Sequence, residues 1–149
     1  METYDLTVHA AAPPDAVFAV LADATRWHEW AGFAVATSEW EREGEPPPGG
    51  VGAIRKLGRA PMYGREQITE YGAPVHMAYT ILSGIPVRGY HADIDLLADE
   101  TGTTIRWTAA FEPKIPGTGA LLAAMLRRTV LGYARAAALE AERRIAQAR

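Results

Sequence analysis

Glu66 and Tyr79 fall at inward-facing positions of two successive strand-like segments, and Arg88 shares that parity on the next. A carboxyl removed from water has a raised pKa and can act as a general acid or base. A phenol in the same apolar layer needs a partner, and a guanidinium can clamp an anionic group. Glu66 also has a plainer reading. The preceding segment brings Arg55 or Lys56 opposite it, depending on where the Ala60-Pro61 turn is centred, and a structural ion pair also perturbs a pKa. Arg88 lies at its strand's end, where it either clamps an anionic group at a pocket mouth or merely solvates the rim.

Other chemistry is largely excluded. There is no cysteine, hence no disulfide, thiolate ligand or thiol nucleophile. Ser38 and Ser83 are the only serines, and neither sits in a nucleophile elbow. His9, His28, His76 and His91 show no metal-ligand spacing, and His9, His76 and His91 take outward positions on their strands. His28, beside Trp27 and Trp30, reads as a structural histidine. Gly49-Gly50-Val51-Gly52 leads into a strand rather than from a strand to a helix, so it is not a phosphate loop. Neither cofactor nor metal is expected.

The elements that must position these groups follow from periodicity. Tyr4, Leu6, Val8 and Ala10 alternate with Asp5, Thr7 and His9 as in a half-buried strand. Pro13-Pro14-Asp15 opens a helix carrying Val17, Phe18, Val20 and Leu21, and a second short helix covers about Asp23 to Trp30. Val35 to Arg42 reads as a strand. A meander then runs through about Val51–Arg59, Gly64–Glu70, Val75–Ser83, Arg88–Ala98 and Thr103–Phe111, with turn residues between. From Gly119 to Arg149 stretches a helix roughly 45 Å long, with Thr118 as N-cap behind Pro116-Gly117. Leu122, Met125, Leu126, Thr129, Val130, Tyr133, Ala136 and Ala137 share one face, and Arg127, Arg128, Arg135 and Glu142 the other. Gly132 costs about 1 kcal/mol there relative to Ala, which implies a kink or a close approach.

At 149 residues and 48% hydrophobic, the chain reads as one globular domain over residues 1–149. A net charge of −3 gives no electrostatic reason to expect nucleic acid. Met1 to Asp5 has neither a basic nor an apolar leader region, and no apolar run reaches membrane-spanning length, so a cytoplasmic protein without membrane insertion is expected.

Centring the turns sets the registers. Leu96 pairs with Ile105, Ile94 with Trp107, Ala92 with Ala109 and Tyr90 with Phe111. On the other side, Met77 pairs with Ile94, Tyr79 with Ala92, Ile81 with Tyr90, Ile68 with Met77 and Glu66 with Tyr79. Glu66, Tyr79, Ala92 and Ala109 then form one row between two bulky rows. A hollow over the two alanines implies an internal pocket under the terminal helix, which Thr129 and Tyr133 approach from above. The alternative is that the alanines simply receive Met125 and Leu126.

This order of elements, with Arg65-Glu66-Gln67-Ile68-Thr69-Glu70-Tyr71, Ala78-Tyr79-Thr80-Ile81-Leu82-Ser83-Gly84, Pro86, Tyr90, Gly102 to Trp107, Phe111 and Pro116-Gly117, resembles the helix-grip fold. The resemblance is to the polyketide cyclase/dehydrase and lipid-transport-like branch of the START-like (SRPBCC) superfamily. It implies an α+β fold of the START/Bet v 1 type: a curved antiparallel sheet of about seven strands around the C-terminal helix, with two short helices after strand 1. It also implies a cavity for an apolar molecule such as a lipid, isoprenoid or polyketide-like compound. Trp30, Tyr79, Ile81, Tyr90, Ala92, Trp107, Ala109, Phe111, Leu122, Met125, Leu126, Thr129 and Tyr133 are the expected ligand contacts. A cofactor-independent cyclase or dehydratase is the alternative, with Glu66 as acid/base, Tyr79 and Tyr90 orienting an enol or ketone, and Arg88 binding an acidic tail. A third class is a protein-interaction module like the ribosome-associated toxin relatives of the fold, against which the acidic balance argues. A homodimer stays open.

Overall fold

The computed structural model describes residues 1–149. The elements in chain order are β1 (Glu2–Ala10), α1 (Pro14–Ala22), α2 (Trp27–Trp30), β2 (Thr37–Arg42), β3 (Ile54–Arg59), β4 (Met62–Gly72), β5 (His76–Ser83), β6 (Val87–Asp99), β7 (Gly102–Pro113) and α3 (Gly119–Gln147). All seven strands pair antiparallel in one sheet, in the order β1-β7-β6-β5-β4-β3-β2. The sheet is the expected helix-grip architecture. Alternation makes the strands two-faced: Tyr4 and Leu6 are buried on β1 while Asp5 and Thr7 are exposed. On β7, Ile105, Trp107, Ala109 and Phe111 are buried in turn. Register shifts between Trp40 and Arg42, Arg65 and Glu66, Ile68 and Glu70, and Arg88 and His91 bend the strands that carry them. The resulting curvature gives α3 a trough.

Pro14 starts α1, where its missing N–H is no loss, and Val17, Phe18, Val20 and Leu21 form the buried side. The second helix is shorter than the expected Asp23–Trp30. Asp23 caps a turn instead, accepting hydrogen bonds from the Thr25 N–H and hydroxyl, and only Trp27–Trp30 is helical.

The long helix runs along β1 and touches α1 and β7, so the partner of its apolar stripe is chiefly the first strand. Leu122, Leu126, Val130, Ala134, Ala137, Ala138 and Ala141 are buried. The small residues of its C-terminal half let the backbone come close to its neighbours. Three expectations for this helix are corrected. Thr118 is itself in helical conformation, and its hydroxyl donates back to the Ile115 carbonyl rather than capping α3. Met125 is 51% exposed, because it lies off the stripe that Leu122, Leu126 and Val130 define. Gly132 meets no neighbour where a Cβ would stand, so no close approach explains it. The polar face is more engaged than a solvated one. Glu142 accepts the Ala11 N–H at 3.0 Å. Glu140 is buried between Arg143 and Arg144, whose hydrogen bonds hold its carboxyl down at about 2.

The β6–β7 register is as expected at Leu96–Ile105, Ile94–Trp107 and Ala92–Ala109, and so is β5–β6 at Met77–Ile94 and Tyr79–Ala92. The β4–β5 register is not. Ile68 pairs with Tyr79 and Glu66 with Ile81, whereas Tyr71 pairs with Met77. The turn lies nearer His76 than its residues suggest, and a bulge between Ile68 and Glu70 absorbs the odd residue. For Glu66 and Ile68 the slip is two, which keeps both on the inward face, whereas beyond the bulge Tyr71 turns inward and packs on Phe18.

Candidate functional site

Between the sheet and α3 lies a cavity of about 540 Å³, lined by 24 residues of which 16 are hydrophobic. Its walls are Leu57, Ile81, Tyr90 and Trp107 from the sheet, Trp27 from α2, and Leu126, Thr129, Val130 and Tyr133 from α3. Three short connections form its rim: Phe33 to Val35, Arg59 to Met62, and Ser83 to Ile85. Phe33 (81%) and Met62 (73%) are exposed there. Arg59 lays its guanidinium 3.9 Å from the Phe33 ring centroid and donates from Nε to the Phe33 carbonyl, tying two rim segments together.

The polar end is built around Arg55, which has no solvent exposure. Register places it opposite Glu66, and its Nε donates to Glu66 Oε1 at 2.7 Å. Nη1 reaches the Leu21 carbonyl at 3.2 Å, and Nη2 has no partner. The guanidinium carbon lies 4.9 Å from the Trp27 ring centroid and 5.1 Å from that of Tyr79. Glu66 is therefore an ion-paired carboxylate, the plainer of the two readings its neighbours allowed. Trp107 donates its indole N–H to Tyr79 Oη at 3.1 Å, and the Tyr4 and Tyr90 hydroxyls bond each other. Burial, reinforced by neighbouring phenols and by the Glu66 charge, pushes the Tyr79 hydroxyl well above its usual range. Burial also raises Tyr4, and it raises Tyr90 to about 12. All three phenols remain protonated at neutral pH.

Of the residues expected at the site, Glu66, Tyr79, Ile81, Tyr90, Trp107, Leu126, Thr129 and Tyr133 line this cavity. The others do not. Ala92 and Ala109 sit in a cross-strand row between Tyr79 and Tyr4. The Tyr90 ring stands 6.0 Å from Tyr79 and 6.5 Å from Tyr4, so the chain's own tyrosines close the space over the alanines. The hollow is thus displaced toward β3, β4 and the rim. Phe111 stacks behind Tyr90 at 5.8 Å. Leu122 is buried on α3 away from the lining, and Met125 faces out. Trp30 packs on Trp27 at 4.5 Å, and Trp27 forms the wall instead. Arg88 is exposed and lies across from Glu112 in the β6–β7 register, because the bulge at Gly89 (φ 58°) turns it off the inward parity and buries Val87.

Tyr4, Trp27, Arg55 and the rim residues are the site groups that sequence reasoning missed or left undecided. Tyr4 alternates inward with Leu6, which was a usable signal. The rim has no periodicity and gave none. On the outer face the fold also gathers Glu70, His76 and Asp93 from three strands, their ligand atoms within 4.8 Å of one another. His76 Nδ1 bonds Asp95 at 2.8 Å and Nε2 bonds Glu70 at 3.1 Å, contacts that linear spacing could not foretell.

A family profile described as polyketide cyclase / dehydrase and lipid transport matches residues 1–145. The chain belongs to that family. No curated protein gives a significant match. A START superfamily protein from Mycobacterium smegmatis is similar at TM-score 0.79 with 11% identity, over 96% of this chain and 99% of that one. A protein from Thermobifida fusca reaches TM-score 0.78 at 24% identity, covering 96% and 95% of the two chains. The Zhui aromatase/cyclase from Streptomyces sp. R1128 reaches 0.77 at 21% identity, covering 96% and 94%. At these identities the likenesses establish the helix-grip fold of the family and nothing about substrate. No helix of this family member is long and apolar enough to cross a membrane.

Proposed function

We propose that the protein binds an apolar or amphipathic small molecule, a lipid, isoprenoid or polyketide-like compound, in the cavity between the sheet and α3. The observation that carries this reading is an apolar cavity of about 540 Å³, within the usual range for small-molecule sites, ending on a few convergent polar groups. The family description, which joins cyclase/dehydrase chemistry to lipid transport, supports it. Residues 1–149 act as one domain in this reading, since α3 returns along β1 and joins the two ends of the chain. Cyclisation of a poly-ketone in the same cavity is supported less well. Its acid/base would be Glu66, which Arg55 already engages at 2.7 Å.

Titration with N-phenyl-1-naphthylamine, a neutral fluorophore that brightens in apolar surroundings, tests the reading. Saturable enhancement is expected for the wild type. Thr129→Trp places a large ring in the cavity from an exposed helix position and should weaken binding about tenfold or more, with an unchanged circular dichroism spectrum. Absence of enhancement in the wild type, or equal binding by the variant, contradicts it.

A further inference from the structure

We infer that the ligand's inner end is a neutral hydroxyl donor (an alcohol, phenol or enol) and that the cavity discriminates against a carboxylate at that end. The inference rests on the binding reading above and narrows it to a chemical class.

Only two charged side chains line the cavity, Arg59 and Glu66. Arg59 is exposed at the rim and already engaged with Phe33. Deep in the cavity the single charge is therefore the Glu66 carboxylate, whose side chain keeps 16% exposure. Its compensating cation is not offered to a ligand. Arg55 is fully buried, absent from the lining, and flanked by the Trp27 and Tyr79 rings. Arg55 engages Oε1, while no protein donor reaches Oε2. The Tyr4 and Tyr90 hydroxyls bond each other and the Trp107 indole donates to Tyr79, so among the phenols at this end Tyr133 alone brings a hydroxyl not engaged with the others.

A ligand end arriving here meets one open, charged acceptor. A hydroxyl donates to it and makes a charge-assisted hydrogen bond of the stronger kind. An ether or ester oxygen has nothing to donate, and a carboxylate meets a like charge in a poorly hydrated site. A cation would match Oε2 but must give up its own hydration to reach it, a larger cost than a neutral hydroxyl meets. If the natural ligand carries an acid group, the arrangement directs that group outward, toward Arg59 at the rim.

The test uses three probes on one skeleton, 2-naphthol, 2-methoxynaphthalene and 2-naphthoate, each competing with N-phenyl-1-naphthylamine at neutral pH. The naphthol should displace the fluorophore roughly tenfold better than the ether, with the naphthoate weakest. In Glu66→Gln the margin of naphthol over naphthoate should shrink. Arg55→Met/Glu66→Gln removes both charges and gives the same answer if the single variant folds poorly. Naphthoate equal to or better than naphthol, ether equal to naphthol, or an unchanged margin in the folded variant overturns the inference while leaving the binding reading intact. A fluorophore that never binds overturns both, and is told apart by that fact.

Discussion

A guanidinium taken wholly out of water costs several kcal/mol unless its partners hold it well. Arg55 has a carboxylate, one carbonyl and two aromatic faces, yet Nη2 finds nothing. Such a group leaves no slack for the loss of Glu66. Glu66→Leu is expected to destabilise the fold by about 3–5 kcal/mol in urea denaturation, and Arg55→Met/Glu66→Leu to recover most of that. A small cost for the single variant would mean that the pair is not coupled. His76 gives a pH signature on the opposite face of the sheet. Burial lowers its pKa, but the hydrogen bonds its ring donates to Asp95 and Glu70 outweigh this and raise it overall. Protonation is thus favoured more in the folded chain than in the unfolded one. Its contribution is full below about pH 6.5, the unfolded value, and fades as pH climbs through the higher folded value. The melting temperature of the wild type relative to His76→Gln should accordingly fall as pH rises above about 6.5. A flat difference would discount the network.

At the level of elements, α3 holds its place through a stripe of Leu and Val that gives way to Ala, and Gly132 contributes nothing to that contact. Gly132→Ala should stabilise the protein by about 0.5–1 kcal/mol in thermal melts, because it removes backbone freedom from the unfolded chain without a clash. A loss of stability would reveal a constraint on the helix that the packing does not show. The strands and α3 were readable because alternation and the 3.6-residue period persist over many residues. The β6–β7 and β5–β6 registers were readable because turn residues pin both ends of the hairpins. Bulges were not readable. A turn displaced toward His76, together with one extra residue at Ile68–Glu70, moved Glu66 from Tyr79 to Ile81, and an extra residue at Gly89 swung Arg88 out to solvent. Both depend on pairing across strands, which no single segment encodes. The alanine hollow failed for a related reason. Alternation placed Tyr79 beside Ala92 but could not say where its ring would lean, nor that Tyr4 on a distant strand would meet Tyr90.

For the molecule as a whole, the cavity belongs to no single element. The sheet supplies its floor, α2 and α3 its walls, and three short connections its mouth. The sheet can curve around α3 only because bulges bend it, so the features hardest to read from sequence also set the volume enclosed. Exposed Phe33 and Met62 put apolar surface at the opening, where an apolar ligand would pass. Native mass spectrometry of freshly purified protein, beside Thr129→Trp prepared in parallel, tests the central claim most directly. A co-purifying or added apolar compound of small-molecule mass should ride on the wild type at one per chain and be missing from the variant. Wild-type protein that stays bare when offered lipids, isoprenoids and aromatic polyketides, or a variant that carries them equally well, would contradict the account.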